Sequence, residues 1–304
     1  MAGNLLLAVV GATAAGKSAL ALELALATDG EVLNADSMQL YRGLDVGTAK
    51  LTDEQRRGVP HHLLDVWDVT ETASVAEYQR MARSAVNDVV ARQHTPVLVG
   101  GSGLYVRAVL DDLTFPGTDS TVRARLEQDL AAVGAGELHA RLAAADPAAA
   151  AAILPGNGRR IVRALEVIET TGRPFTATLP DYRYLRPALQ LGIDVALAEL
   201  DRRISARVDA MFAGGFVEEV QRLLEQGLRE GRTASRALGY AQVTAMLDGT
   251  MSASEARADI VRATRRFARR QRSWFRRDPR VIWLPDGPTL TDEALTVVRR
   301  TIDS

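Results

Sequence analysis

Residues 11 to 18, Gly11-Ala12-Thr13-Ala14-Ala15-Gly16-Lys17-Ser18, hold the pattern of a phosphate-binding loop. Its glycines let backbone N–H groups wrap an anion, Lys17 adds a compact positive charge, and the Ser18 hydroxyl can ligate Mg²⁺. The pattern serves nucleotide binding, ATP included, so alone it specifies a diphosphate group and not a reaction. Asp36, in Asn34-Ala35-Asp36-Ser37-Met38-Gln39, can hold Mg²⁺ through water or take a proton from an acceptor, or it can simply stabilise a turn. Ser102, in Gly100-Gly101-Ser102-Gly103, offers a hydroxyl to the same region or a helix N-cap. Arg203 and Arg207 stand four apart on a predicted helix and share a face, where each could equally pair with an acid such as Glu199. The adjacent His61 and His62 diverge, and with no Cys and four His in the chain a histidine metal centre is not expected. They read as structural or ligand-contacting.

For these groups to meet, buried strands must end beside one another. Leu5 to Ala12 is an apolar run that closes on the glycine loop, with a helical pattern at Ser18 to Ala27 behind it. Glu31 to Ala35 runs into Asp36, and Pro96 to Val99 runs into Gly100, with helical spacing at Val75 to Arg92 between them. Strands alternating with helices predict an α/β fold, a P-loop NTPase-like parallel sheet whose ligands lie at the carboxyl ends of its strands. From about Thr118 to Thr171 the sequence turns Ala-rich with helical periodicity and no strand-like run. Strand-like runs return at Leu189 to Val195 and Val281 to Leu284. The expected organisation is a core of residues 1–117 and 188–304 with a small all-helical insertion at 118–187.

The 304 residues are 47% hydrophobic and 25% charged, ordinary for a globular protein, and the absence of Cys excludes disulfides, thiol catalysis and iron–sulfur clusters. The apolar start is too short for a signal peptide or membrane span, which predicts a cytoplasmic protein with no membrane association. The net charge of −1 hides an asymmetry: Arg257 to Arg280 holds ten Arg against Asp259 and Asp278. Such a stretch is either a polyanion-facing surface or a solvated helix face. Along its helix Ile260, Thr264, Phe267, Gln271 and Trp274 form one stripe, read as core, and most of the arginines fall elsewhere. Of 37 cationic residues only Lys17 and Lys50 are lysine. Lys17 sits where a compact ammonium matters, while Lys50 reads as a solvated surface residue.

Several segments, taken in order, resemble the tRNA dimethylallyltransferase family, the bacterial tRNA isopentenyltransferases or IPP transferases. They are Gly11 to Ser18, Asp36 to Gln39 running into Tyr41 to Lys50, Pro60-His61-His62-Leu63, Gly100 to Tyr105, Arg163 to Val167, Arg203 to Met211, Gly239-Tyr240 and Arg265 to Trp274. The family usually has Pro at the position of Ala12 and often Thr at that of Ser102; neither departure removes a needed hydroxyl or backbone donor. The resemblance implies transfer of a dimethylallyl group from dimethylallyl diphosphate to the exocyclic amine of the adenosine 3′ of the anticodon, by a monomer using Mg²⁺. It implies Asp36 as general base, with Ser102 and Arg207 at the reaction centre and Arg203 near the diphosphate. It further implies a tRNA anticodon stem-loop held by Asp36, Ser37, Met38, Gln39 and Ser102, by Arg123, Arg159, Arg160 and Arg163 of the insertion, by Arg236, Gly239, Tyr240 and Gln242, and by Arg265, Arg266 and Arg269.

Three other readings use the same residues. A small-molecule or nucleotide kinase would use the loop, a strand-end Asp and a helical lid, and would turn over ATP. A P-loop nucleic-acid-binding module would use the phosphate site only for regulation. A prenyltransferase acting on free adenine nucleotides would share the chemistry but generally lacks an inserted helical domain.

Overall fold

Strand β1 (Leu6–Val10) is buried along its whole length, as a strand covered by helices on both faces must be. A computed structural model describes residues 5–175 and 181–303. The chain then wraps through the glycine loop into α1 (Lys17–Ala27), turning at Gly16, whose φ of 94° lies in the left-handed region that glycine adopts without cost. No side chain caps α1, so the loop delivers a helix N-terminus whose N–H groups point outward. β2 (Gly30–Asn34), β3 (His61–His62), α2 (Val75–Ala91), β4 (Thr95–Gly100) and α3 (Gly103–Leu110) follow. Ser74 caps α2 by accepting from Glu77 N.

The chain divides into two compact units, Met1–Asp112 with Arg183–Ser304, and Leu113–Tyr182. Among the described residues of the second unit the regular elements are all helices: α4 (Ser120–Ala145), α5 (Pro147–Ala152) and α6 (Gly158–Thr171). Asp119, Asp146 and Asn157 cap the three helices with their side-chain oxygens, and Gly134 (φ 80°) kinks α4. Leu126, Leu138, Leu142, Ile153 and Ile161 form its own core. Both of its edges lie five residues earlier than the expected 118–187; residues 176–180 of that range lie outside the described ones. The later edge moves because residues 183–187 belong with the sheet. Asp112 N donates to Arg183 O at 3.2 Å, Leu185 N donates to Leu110 O at 2.8 Å, and Asp111 bridges Tyr184 antiparallel.

The first unit resumes with β5 (Ala188–Asp194), α7 (Leu197–Ala213), α8 (Phe216–Glu225), a 3₁₀ turn at Ala234–Arg236, α9 (Tyr240–Leu247), α10 (Ala253–Phe275), β6 (Val281–Pro285) and α11 (Leu290–Asp303). The six strands form one parallel sheet in the order β3-β2-β4-β1-β5-β6. Leu7 and Val9 pack among Leu20 and Leu24 of α1, Ile204 of α7 and Val298 of α11. Leu24 is fully buried, and cutting such a leucine to alanine costs roughly 2–5 kcal/mol. The strand order matters most for the site. β1, β4 and β2 are neighbours, with Val10 opposite Gly100 and Val99 opposite Asn34. The glycine loop, the Ser102 turn and the Asp36 turn therefore leave the carboxyl edge side by side.

Candidate active site

Asp36 follows β2 in a tight turn. Its N–H donates to Asn34 Oδ1 at 2.9 Å, and its own Oδ1 accepts from Met38 N at 3.0 Å. Asn34 is itself anchored through Nδ2 to Leu63 O, so the turn is fixed from below. One carboxylate oxygen is thus used to orient the group; Oδ2 has no protein donor among the described residues. Ser102 stands at the N-terminus of α3 but makes no side-chain cap there. Its Oγ accepts from Ser37 N and donates to Ser37 Oγ, both at 3.3 Å, which resolves its two readings in favour of a tie to the Asp36 turn.

Lys17 donates to Ala12 O at 2.7 Å. Desolvation pushes its ammonium down to about 8, against the attraction of Asp36 and with the help of Arg207. Arg207 reaches across from α7, donating through Nη1 to Thr13 Oγ1 at 3.1 Å and through Nη2 to Thr48 O at 2.9 Å. Burial lowers its affinity for the proton, offset in part by Asp36 and Tyr240, although a guanidinium remains charged at any physiological pH. Neither cation has a carboxylate within ion-pair distance among the described residues. Both are poised for an anion.

Two cavities meet here. One, about 270 Å³, is walled by Thr13, Ala14, Gly16, Lys17 and Ser18 with Gln39 and Gly100. The other, about 420 Å³, is walled by Ser37, Met38, Ile204, Val208, Tyr240 and Phe267, with Arg236 and Gln242 also on its wall. Thr13, Asp36, Thr48 and Arg207 line both. A phosphate-sized chamber with cationic walls therefore adjoins a largely apolar chamber, with one carboxylate on the shared wall.

The structure redirects several residues expected at the site. Arg203, four residues before Arg207, lines neither cavity; it pairs with Glu199 at 2.7 Å and with Asp286 at 2.7 Å. Thr13 N is not open to a phosphate, because it donates to Gln271 Oε1 at 2.8 Å. Arg123 and Arg163 turn toward the fully buried Glu166, at 3.3 and 2.9 Å, since a carboxylate in that helical core must be paired. Arg159 and Arg160 remain exposed. Arg265 and Arg269 are drawn to Asp201 of α7, the latter at 2.7 Å, while Arg266 is exposed with no hydrogen bond or ion pair among the described residues. Gly239 N and Gln242 Oε1 close the start of α9, and Tyr240 is buried with its hydroxyl on Glu219.

His61 and His62 form the short edge strand β3; His62 Nε2 lies 2.5 Å from Glu31 and His61 Nδ1 lies 2.8 Å from Val59 O. Lys50, expected at the surface, is buried, donating to Tyr41 O, Asp45 and Asp65. The stripe read as core on α10 has Ile260 and Gln271 buried, while Ile260, Thr264 and Phe267 also line the larger cavity. Its one amide, Gln271, links Thr13 N to Gly101 O. A polar residue on an apolar stripe was the available signal for it. Glu219, which holds residues 45–47, carries no such signal.

The chain matches the IPP transferase family over residues 39–278. It is 64% identical over 299 residues to a Salinispora arenicola protein named tRNA dimethylallyltransferase, covering 98% of this chain and 87% of that one. A protein of the same name from Streptomyces avermitilis is 64% identical over 300 residues, with 97% and 96% covered. The crystal structure of the full-length tRNA isopentenylpyrophosphate transferase from Bacillus halodurans matches with a TM-score of 0.74 at 37% identity, over 99% of this chain and 97% of that one.

Proposed function

The chain belongs to the IPP transferase family, and on that premise we propose that it transfers a dimethylallyl group from dimethylallyl diphosphate to N6 of the adenosine 3′ of the anticodon in tRNA. The products are N6-(dimethylallyl)adenosine and diphosphate. The observation that carries this reading is the shared wall: a cationic phosphate chamber adjoins a largely apolar one that suits a base and an allyl group, with Asp36 on the wall between them.

The adenine amine is a weak nucleophile because its lone pair is delocalised into the ring. Its attack on the allylic carbon breaks the C–O bond, and the electron pair leaves with the diphosphate. Loop N–H groups, Lys17 and Arg207 stabilise the charge that grows on that leaving group. Asp36, oriented by Met38 N, accepts the amine proton on Oδ2. The Ser18 hydroxyl would hold Mg²⁺, an oxygen donor that fits an ion completing its shell with water and phosphate oxygens. When bound, the ion neutralises diphosphate charge.

The adenosine must leave the anticodon-loop stack to reach this depth, at a cost of a few kcal/mol that backbone contacts offset. In this reading Ser37, Met38, Arg236 and Gln242 meet the flipped nucleotide, and exposed Arg159, Arg160 and Arg266 meet phosphates. The enzyme works as a cytoplasmic monomer; no described helix is long and apolar enough to cross a membrane. Labelled dimethylallyl diphosphate offered with tRNA, AMP or no acceptor, in the presence of ATP, should label tRNA alone and leave ATP intact. Label in AMP, or ATP consumed, overturns the reading. Asp36→Ala should lower turnover by on the order of a hundredfold or more with tRNA binding unchanged.

A further inference from the structure

Both contacts that hold Arg207 are to neutral oxygens, and backbone N–H groups beside each of those oxygens are tied to a buried side chain from another helix. On one side Thr13, which receives Nη1, is tied through its N–H to Gln271. On the other side Thr48 O, which receives Nη2, ends a turn suspended from Glu219. Glu219 lies on α8 and is 2% exposed. It accepts from Val46 N at 2.7 Å, from Asp45 N and Gly47 N at 3.2 Å, and from Tyr240 OH at 2.6 Å. No cation pairs with it among the described residues. Four donors match the lone pairs of a carboxylate, and a buried carboxylate is tolerated only when they are met in this way.

The seat is also tight. A Cβ on Gly47 would lie 2.3 Å from Phe216 Cε2 and 2.5 Å from the Tyr240 ring, so the turn can approach α8 and α9 this closely only because glycine stands there. The carboxylate pulls residues 45–47 inward and the two rings stop them. Thr48 O is left in one place, and Gln39 Nε2 donates to the same oxygen at 3.1 Å.

We infer that Glu219 is a positioning residue for the transfer reaction: through the 45–48 turn it fixes Thr48 O, and with it the aim of the Arg207 fork at the leaving diphosphate. This rests on the proposed role of Arg207. Glutamine at 219 keeps one acceptor oxygen but turns an NH₂ toward N–H and O–H donors, which releases part of the turn. Glu219→Gln should lower kcat about a hundredfold, the loss that a misplacement of roughly 1 Å produces, with KM for tRNA unchanged.

The deciding measurement is a double-mutant cycle on kcat with labelled dimethylallyl diphosphate and tRNA. In an Arg207→Ala background Glu219→Gln should add no further loss, because its target is gone. A purely structural role would instead give losses that multiply. Gly47→Ala, which displaces the same turn while leaving the Glu219 side chain itself unchanged, should behave alike and carries the cycle if Glu219→Gln fails to fold in thermal unfolding. Multiplying losses, or wild-type kcat in folded Glu219→Gln, overturn this inference alone. Wild-type kinetics in Arg207→Ala overturn the role of Arg207 and the inference with it.

Discussion

The glycine-loop chamber and the arginine-rich helix α10 are both cationic, but their charges are partnered differently. In the chamber Lys17 faces Ala12 O, and Arg207 faces Thr13 Oγ1 and Thr48 O, all neutral. On α10 and its C-cap Arg276, Arg262 pairs with Asp259, Arg265 and Arg269 with Asp201, and Arg272 and Arg276 with Asp194. The first arrangement leaves positive charge to be met by a ligand; the second largely meets it within the protein. Counting arginines therefore overstates what α10 can offer an anion. The nature of the partner, carboxylate or neutral oxygen, separates the two regions.

The largest effect that tests this contrast is on the chamber. Lys17→Ala should lower kcat/KM for dimethylallyl diphosphate by on the order of 10²–10³, because it removes one of the two chamber cations that meet the leaving group. Steady-state kinetics at saturating tRNA measure it, and a loss no larger than that of an α10 substitution would erase the contrast. Next comes pH. Lys17 is charged below about 8 and loses its proton above it, so diphosphate affinity should fall as pH rises past 8, by up to about tenfold per unit. Calorimetric titration of diphosphate from pH 7 upward reads this, with Lys17→Ala as the control that subtracts the ionisation of diphosphate itself. The smallest effects divide α10 itself. Arg266→Ala should reduce the slope of log affinity against log salt for tRNA by about 1, whereas Arg269→Ala should change the slope less and cost about 0.2–1 kcal/mol in thermal unfolding. Equal slopes for the two variants would mean that pairing with Asp201 does not withhold Arg269 from the RNA.

Features written in a contiguous run were legible before any coordinates. The loop at 11–18, the buried strands and the strand-end Asp36 each carry a local pattern that tertiary packing has no reason to overturn. Arg203 and Arg207 show where this stops: they share a helix face, yet one turn of helix sends the first to Asp286 and the second to Thr13, because among the described residues acids come within ion-pair distance only of the first. Lys50 failed for a similar reason, since Asp45 and Asp65 become its neighbours only after the loop closes. Glu219 lies 173 residues from Val46, and nothing in α8 marks it apart from any other glutamate near a helix start. Burial of a polar group among distant donors is a property of the folded chain, not of a sequence window.

The position of β1 bears on how the protein is made. Its two neighbours in the sheet are β4, complete at Gly100, and β5, which begins only at Ala188. During synthesis at about 5–20 residues per second, the roughly 90 intervening residues leave the middle of the future sheet with one unpaired apolar edge for several seconds. Such an edge is a template for pairing with another chain. The helical unit is translated in that interval and closes its own core from its own residues. A released chain ending just before Ala188 should therefore combine a finished helical module with four of the six strands, a partial sheet that depends on chaperones for its solubility.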